Sequence, residues 1–242
     1  MKTGKAARGS QRKKRTRSNP HRDAARRAGA FTISPLGGQF HPEALERILA
    51  AIGRFEPDAS WSDVAPKVMP LLKRRSHPYP AEVAPIHMNV PPGIWAGFGI
   101  DMGPAFTHVS AALIERWGID EATLLGTALE NLRRVARHEP PVVDQIRPEG
   151  VDATVVQAQG WGSALVLAPD RLGPILGPRP RVLLTPVRNT LIALPDDVDF
   201  DLAFDLWQAV AEGCHDELDV DPMRWTGSSV VMLSAGGTGR PN

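Results

Sequence analysis

Residues 120–157 read DEATLLGTALENLRRVARHEPPVVDQIRPEGVDATVVQ, and the change of period inside this stretch decides the fold class. Its first part predicts a helix. Asp120 is a good N-cap, Glu121 puts negative charge in the first turn, and Leu125, Leu129, Leu132 and Val135/Ala136 form an apolar stripe. Arg133, Arg134, Arg137 and His138 load the last turn with positive charge, which the helix dipole favours, and Pro140-Pro141 ends it. Glu130 and Arg134 are an i,i+4 pair. The second part switches to short β-branched runs, 142–146 and 153–157, bounded by Pro and Gly.

Working outward, the same punctuation recurs. Runs at 165–167, 181–185, 191–194 and 228–234 read as strands, and helices are expected over 170–176 and 199–214. The latter carries Leu202, Leu206, Ala209/Val210 and Gly213 on one face. Upstream, 83–90 and 94–100 flank Pro91-Pro92-Gly93 as a hairpin, 104–110 offers a third short strand, and a helix spans 111–117. Before residue 82 the pattern is helical. Pro42 opens one helix with Leu45, Ile48, Leu49 and Ile52, and Gly53 stops it. Ser62 is read as the cap of a second helix carrying Val64, Val68, Leu71 and Leu72, made irregular by Pro66 and Pro70. Residues 73–80 read as an exposed connector. The expectation is α+β: a mainly antiparallel sheet packed against a few helices. Four segments follow: a disordered basic arm at 1–30, a helical region at 31–82, an α+β domain at 83–234 and a disordered tail at 235–242.

Composition bounds the function. The 242-residue chain is 42% apolar, which is globular usage. Its formal charge of +1 hides a split: eleven of the 28 Lys and Arg fall within residues 1–30 against one acid, Asp23, a net of +10. The other 17 basic and 26 acidic residues give the body a net of −9. Arg12, Lys13, Lys14, Arg15 and Arg17 are the densest part of the arm. They point to non-specific, salt-dependent contact with nucleic acid, a solubilising tail being the simpler reading. No aromatic residue is interleaved there for base stacking. The lone Cys214 excludes an intrachain disulfide and fits a reducing, cytoplasmic setting. No apolar run approaches the roughly 18 residues of a membrane span, so no membrane association is expected.

The middle of the chain also resembles a family. A strand ends in Ile100-Asp101, Phe106-Thr107-His108-Val109 follows, then Arg116-Trp117-Gly118-Ile119, then Leu124…Ala128-Leu129-Glu130-Asn131-Leu132-Arg133-Arg134. Further on come SALVLAP at 163–169 and VLLTPVRNTL at 182–191. This ordered set, within residues 83–234, resembles the YtpQ-like family of bacterial proteins of unknown function. His108 stands where that family usually has Tyr, Asn189 where it has Asp, and the basic arm has no counterpart. Because the family has no established activity, the resemblance implies a fold more than a function.

Candidate chemistry is sparse. Arg188 and Asn189 sit in a turn between two apolar runs, where an Arg can fork onto a carboxylate or phosphate, or fix sheet to helix by pairing with Asp101 or Glu130. Asn131, mid-helix, calls for a specific partner, a strand edge being the simplest. Asp101 ends a strand as a turn cap or a functional carboxylate. Ser163 lies in G-W-G-S-A rather than G-x-S-x-G, and no base accompanies it. His87 and His108 could approach each other near Asp101, yet no His spacing is that of a metal motif, and neither a metal nor a cofactor is expected. No phosphate-binding glycine motif is present, and the six Trp are spread along the chain. The leading expectation is a non-catalytic module that binds a protein partner through Asp101, Asn131, Arg134, Arg188 and Asn189. An enzyme with a small-molecule pocket lined by Asp101 and Arg188, and nucleic-acid association through the arm, are the alternatives.

Overall fold

The computed structural model describes residues 59–72, 85–90, 93–102, 106–212, 218 and 220–233. The basic arm, the helix expected at 42–52, the connector at 73–80, Cys214 and the tail from 235 lie outside them. The fold is α+β, with two antiparallel sheets and five α-helices among the described residues.

Helix α1 (Trp61–Val64) passes through a 3-10 turn (Ala65–Lys67) into β1 (Val68–Leu72). Strand β2 (His87–Val90) and β3 (Ile94–Asp101) form the expected hairpin, closed by the Gly93 N–H donating to the Val90 carbonyl at 2.8 Å. Strand β4 (Phe106–His108) lies beyond β2 along the same edge of β3, opposite β1. Two helices follow, α2 (Ala111–Trp117) and α3 (Glu121–His138). Asp120 caps α3 by accepting from the Thr123 N–H at 2.8 Å.

The second sheet is built from β5 (Val142–Ile146), β6 (Ala153–Gln157), β7 (Arg181–Val187), β8 (Thr190–Pro195), β9 (Met223–Trp225) and β10 (Val230–Met232), in the order β10-β9-β7-β8-β6-β5. Between β6 and β7 run a 3-10 helix (Ser163–Leu167) and α4 (Pro169–Leu176); between β8 and β9 lies α5 (Phe200–Ala211).

The two-residue alternation of the central strands serves two cores. Leu183, Leu191, Ala193 and Val156 face the larger core, with Phe98 and Ile100 of β3, Leu124, Ala128 and Leu132 of α3, and the wholly buried Ser163–Leu167 helix. Val182, Leu184, Ile192 and Leu194 face Ala203, Leu206 and Val210 of α5. Both faces are covered, so these strands read as continuous apolar runs rather than alternating ones. Each fully buried Leu contributes roughly 1.5–3 kcal/mol.

Four expectations are corrected. Residues 68–72 are a strand, not a helix: Val68 pairs with Ile100 and Leu72 with Ala96, so one sheet joins segments on both sides of residue 82. Pro70 suits an edge strand and would break a helix. Ser60, rather than Ser62, caps α1, its N–H donating to Asp63 at 3.2 Å. Residues 165–167 belong to the 3-10 helix, because a short buried apolar run has no period that separates strand from helix. Glu130 pairs with Arg137 at 3.2 Å, while Arg134 turns to a backbone carbonyl. Strand β9 escaped prediction, being only Met-Arg-Trp.

Candidate functional site

Asn131 and Arg134 are brought together by α3. Leu124, Ala128 and Leu132 hold that helix against the core, which carries Asn131 onto the buried side. Its amide donates to the Ala65 carbonyl at 2.6 Å and to the Val68 carbonyl at 2.9 Å. Arg134 donates to the Asn131 amide oxygen at 3.0 Å and to the Pro66 carbonyl at 2.6 Å. The pair thus ties the proline-rich entry of β1 to the helix. This is the strand-edge contact the mid-helix Asn implied.

Arg188 and Asn189 occupy the two-residue turn between β7 and β8, where Val187 faces Thr190. The register slips between Leu184 and Val187, and Pro186 sits in that bulge. The turn is anchored by the 158–163 loop. Asn189 accepts from the Gly160 N–H through its side chain at 2.7 Å and from the Ala158 N–H through its carbonyl at 3.0 Å. The Arg188 carbonyl accepts from the Ser163 N–H at 3.0 Å. This contact needs its glycines: Gly160 has φ 81°, and a Cβ on Gly162 would stand 2.2 Å from the Asn189 oxygen. The Gly160-Trp161-Gly162-Ser163 sequence is therefore a seat for the turn, and Ser163 is fully buried in the 3-10 helix.

The Arg188 guanidinium carbon lies 5.7 Å from the centre of the Phe106 ring, a cation–π contact. Phe106 is the cross-strand partner of Asp101, so Asp101 and Arg188 are both neighbours of one aromatic side chain. His87 and His108 pair with Gly97 and Gly99, which places both, with Asp101, on one face of β3. Among the described residues, no group of three or more His, Cys, Asp or Glu is placed to hold a metal ion. The pairs Asn131–Arg134 and Arg188–Asn189 hold different partners: the carbonyls before β1 in one case, the 158–163 loop and Phe106 in the other.

A surface that the sequence reading did not single out lies on α5. Asp199 caps this helix, accepting from the Asp201 N–H at 2.8 Å, and Leu206 and Val210 dock it onto β7 and β8. Phe200 and Phe204, one turn apart, are left 55% and 56% exposed. The Phe204 and Trp207 rings stack at 6.0 Å with 14° between planes. These side chains, with Leu184, Ala203 and Asp221, line an apolar cavity of about 190 Å³. The signal was present as FDLAFDLW at 200–207, where both Phe fall off the Leu202/Leu206 stripe.

The candidate nucleic-acid residues Arg12, Lys13, Lys14, Arg15 and Arg17 lie outside the described residues. No helix among the described residues is long and apolar enough to cross a membrane. No family model matches the chain, and no curated protein and no solved structure matches it. The likeness to the YtpQ-like family therefore rests on the sequence motifs alone.

Proposed function

We propose that the protein acts in the cytoplasm by binding another protein, without catalysis, and that the groove on α5 is the contact surface. The observation that carries this reading is the exposure of Phe200 and Phe204 beside an apolar cavity. Two aromatic side chains held in water at helical spacing gain from burial, and the helix does not need them for its own docking, which Leu206 and Val210 supply. The polar residues Asn131, Arg134 and Asn189 support the reading from the other side, since their hydrogen bonds hold the framework together. The test is a peptide array probed with the full chain and with the Phe204→Ser variant. Peptides bound by the wild type and lost by a variant that is fully folded at the assay temperature support the groove; an identical pattern for both contradicts it.

A second reading has one observation in its favour. Asp101 and Arg188 are both neighbours of Phe106, as an enzyme pocket lined by the two requires. It predicts a small molecule whose binding raises the melting temperature of the wild type and not of Arg188→Ala. A screen in which every stabilising compound acts equally on both proteins contradicts it.

A further inference from the structure

Several arginines of the fold are tied to oxygen. Arg133 pairs with Asp170 at 3.2 Å, Arg147 with Asp152 at 2.6 Å and Arg224 with Asp196, while Arg134 is held by the Pro66 carbonyl. Arg188 differs. Its side chain is half-buried, and its Nε is closed off from solvent without a hydrogen bond. Among the described residues no acid forms an ion pair with it and no carbonyl accepts from its guanidinium. A shortage of acids is not the reason, since the chain beyond residue 30 holds 26 of them against 17 bases. What the guanidinium rests on is the Phe106 ring, 5.7 Å from its carbon.

That ring is itself held in place. A Cβ on Gly99 would stand 3.2 Å from its Cδ1, and one on Gly160 would stand 2.8 Å from its Cε2, so the ring fills space that two side chains would otherwise take. The backbone under Arg188 is pinned as well, by the contacts of the 188–189 turn with the 158–163 loop. A planar cation seated on an aromatic face and a pinned turn has given up rotamer freedom before any ligand arrives, which lowers the entropic cost of binding. With Nε closed off, the two Nη atoms are the part a ligand can reach, and their end-on fork matches two oxygens of one anion. A partly desolvated cation without an internal counter-charge gains from such a partner. We infer that Arg188 is the recognition group for an oxyanion, a carboxylate or phosphate carried by a small molecule and taken end-on by its two Nη atoms. This inference rests on the second reading above, the pocket bounded by Asp101 and Arg188, and names the class of its ligand.

The experiment follows the arginine Nε–H signals of the full chain by nitrogen-15 NMR, with the Arg188 signal assigned through Arg188→Lys. Sodium phosphate and sodium acetate are titrated separately, each against sodium chloride at equal ionic strength. The expected result is a saturating shift of the Arg188 signal at millimolar anion, several times larger than that of the exposed, acid-paired Arg147. A response to phosphate alone assigns a phosphate-bearing ligand, a response to acetate alone a carboxylate, and a response to both an oxyanion of either kind. A shift that only follows chloride, or that Arg147 shares, overturns the inference. Arg188→Lys keeps the charge and loses the fork, so the rise in melting temperature that the effective anion gives should shrink severalfold; an equal rise in both proteins overturns it too. If no anion moves the signal while a neutral compound still stabilises the wild type and not Arg188→Ala, only the anion assignment falls. If no compound does so either, the pocket reading falls with it.

Discussion

Asn131 donates both amide hydrogens to backbone carbonyls, one in the 3-10 turn and one at the start of β1. Asn131→Ala strands those acceptors, and we expect a loss of about 1–3 kcal/mol in chemical denaturation. Gly162→Ala drives a methyl into the Asn189 carbonyl, with an expected cost of about 1–3 kcal/mol or more, since backbone cannot step aside cheaply. Asp120 gives a pH signature. The Thr123 hydroxyl and N–H hold its carboxyl below the ordinary carboxylate range. A depressed folded-state value means the contribution is complete above about pH 4 and fades as pH falls through the lowered value. Melting temperatures of Asp120→Asn should therefore fall short of wild type at pH 6 and converge with it towards pH 2. A constant gap across that range would contradict the cap's role.

At the scale of the element, α5 separates two functions on two faces. Leu206→Ala, on the face packed against the sheet, is expected to cost about 2–5 kcal/mol, whereas Phe204→Ser, on the outer face, loses the stacking on Trp207 and should cost only about 0.5–1.5 kcal/mol. Helices with caps and an apolar stripe were legible from sequence, as α3 and α5 show, because caps and dipole charges are local chemistry. Strands β5 to β8 were legible from Pro and Gly punctuation. Residues 68–72 and 163–167 were not, since Val64, Val68 and Leu71 fit a helical period by coincidence, and a buried run such as SALVL fits either state. The site was harder for a related reason. Arg188, Asn189, Asn131 and Arg134 were recognisable as polar residues at telling positions, but it is the fold that brings Asn131, Arg134 and Asn189 to the backbone groups they hydrogen-bond. Phe200 and Phe204 were readable as apolar residues off the stripe, a pattern whose meaning depends on what Val220–Pro222 place beside them.

On the scale of the whole molecule, charge is segregated along the chain: +10 in the first 30 residues and ten acids between 196 and 222. The sheets and α3 form the framework, and the outer face of α5 is where aromatic surface stays exposed. The measurement that bears most directly on this account is a binding titration of the full chain with the strongest peptide from the array, run in parallel on Phe204→Ser. The account predicts at least tenfold weaker binding by the variant at a temperature where both proteins are fully folded; equal affinity for the two proteins would contradict it.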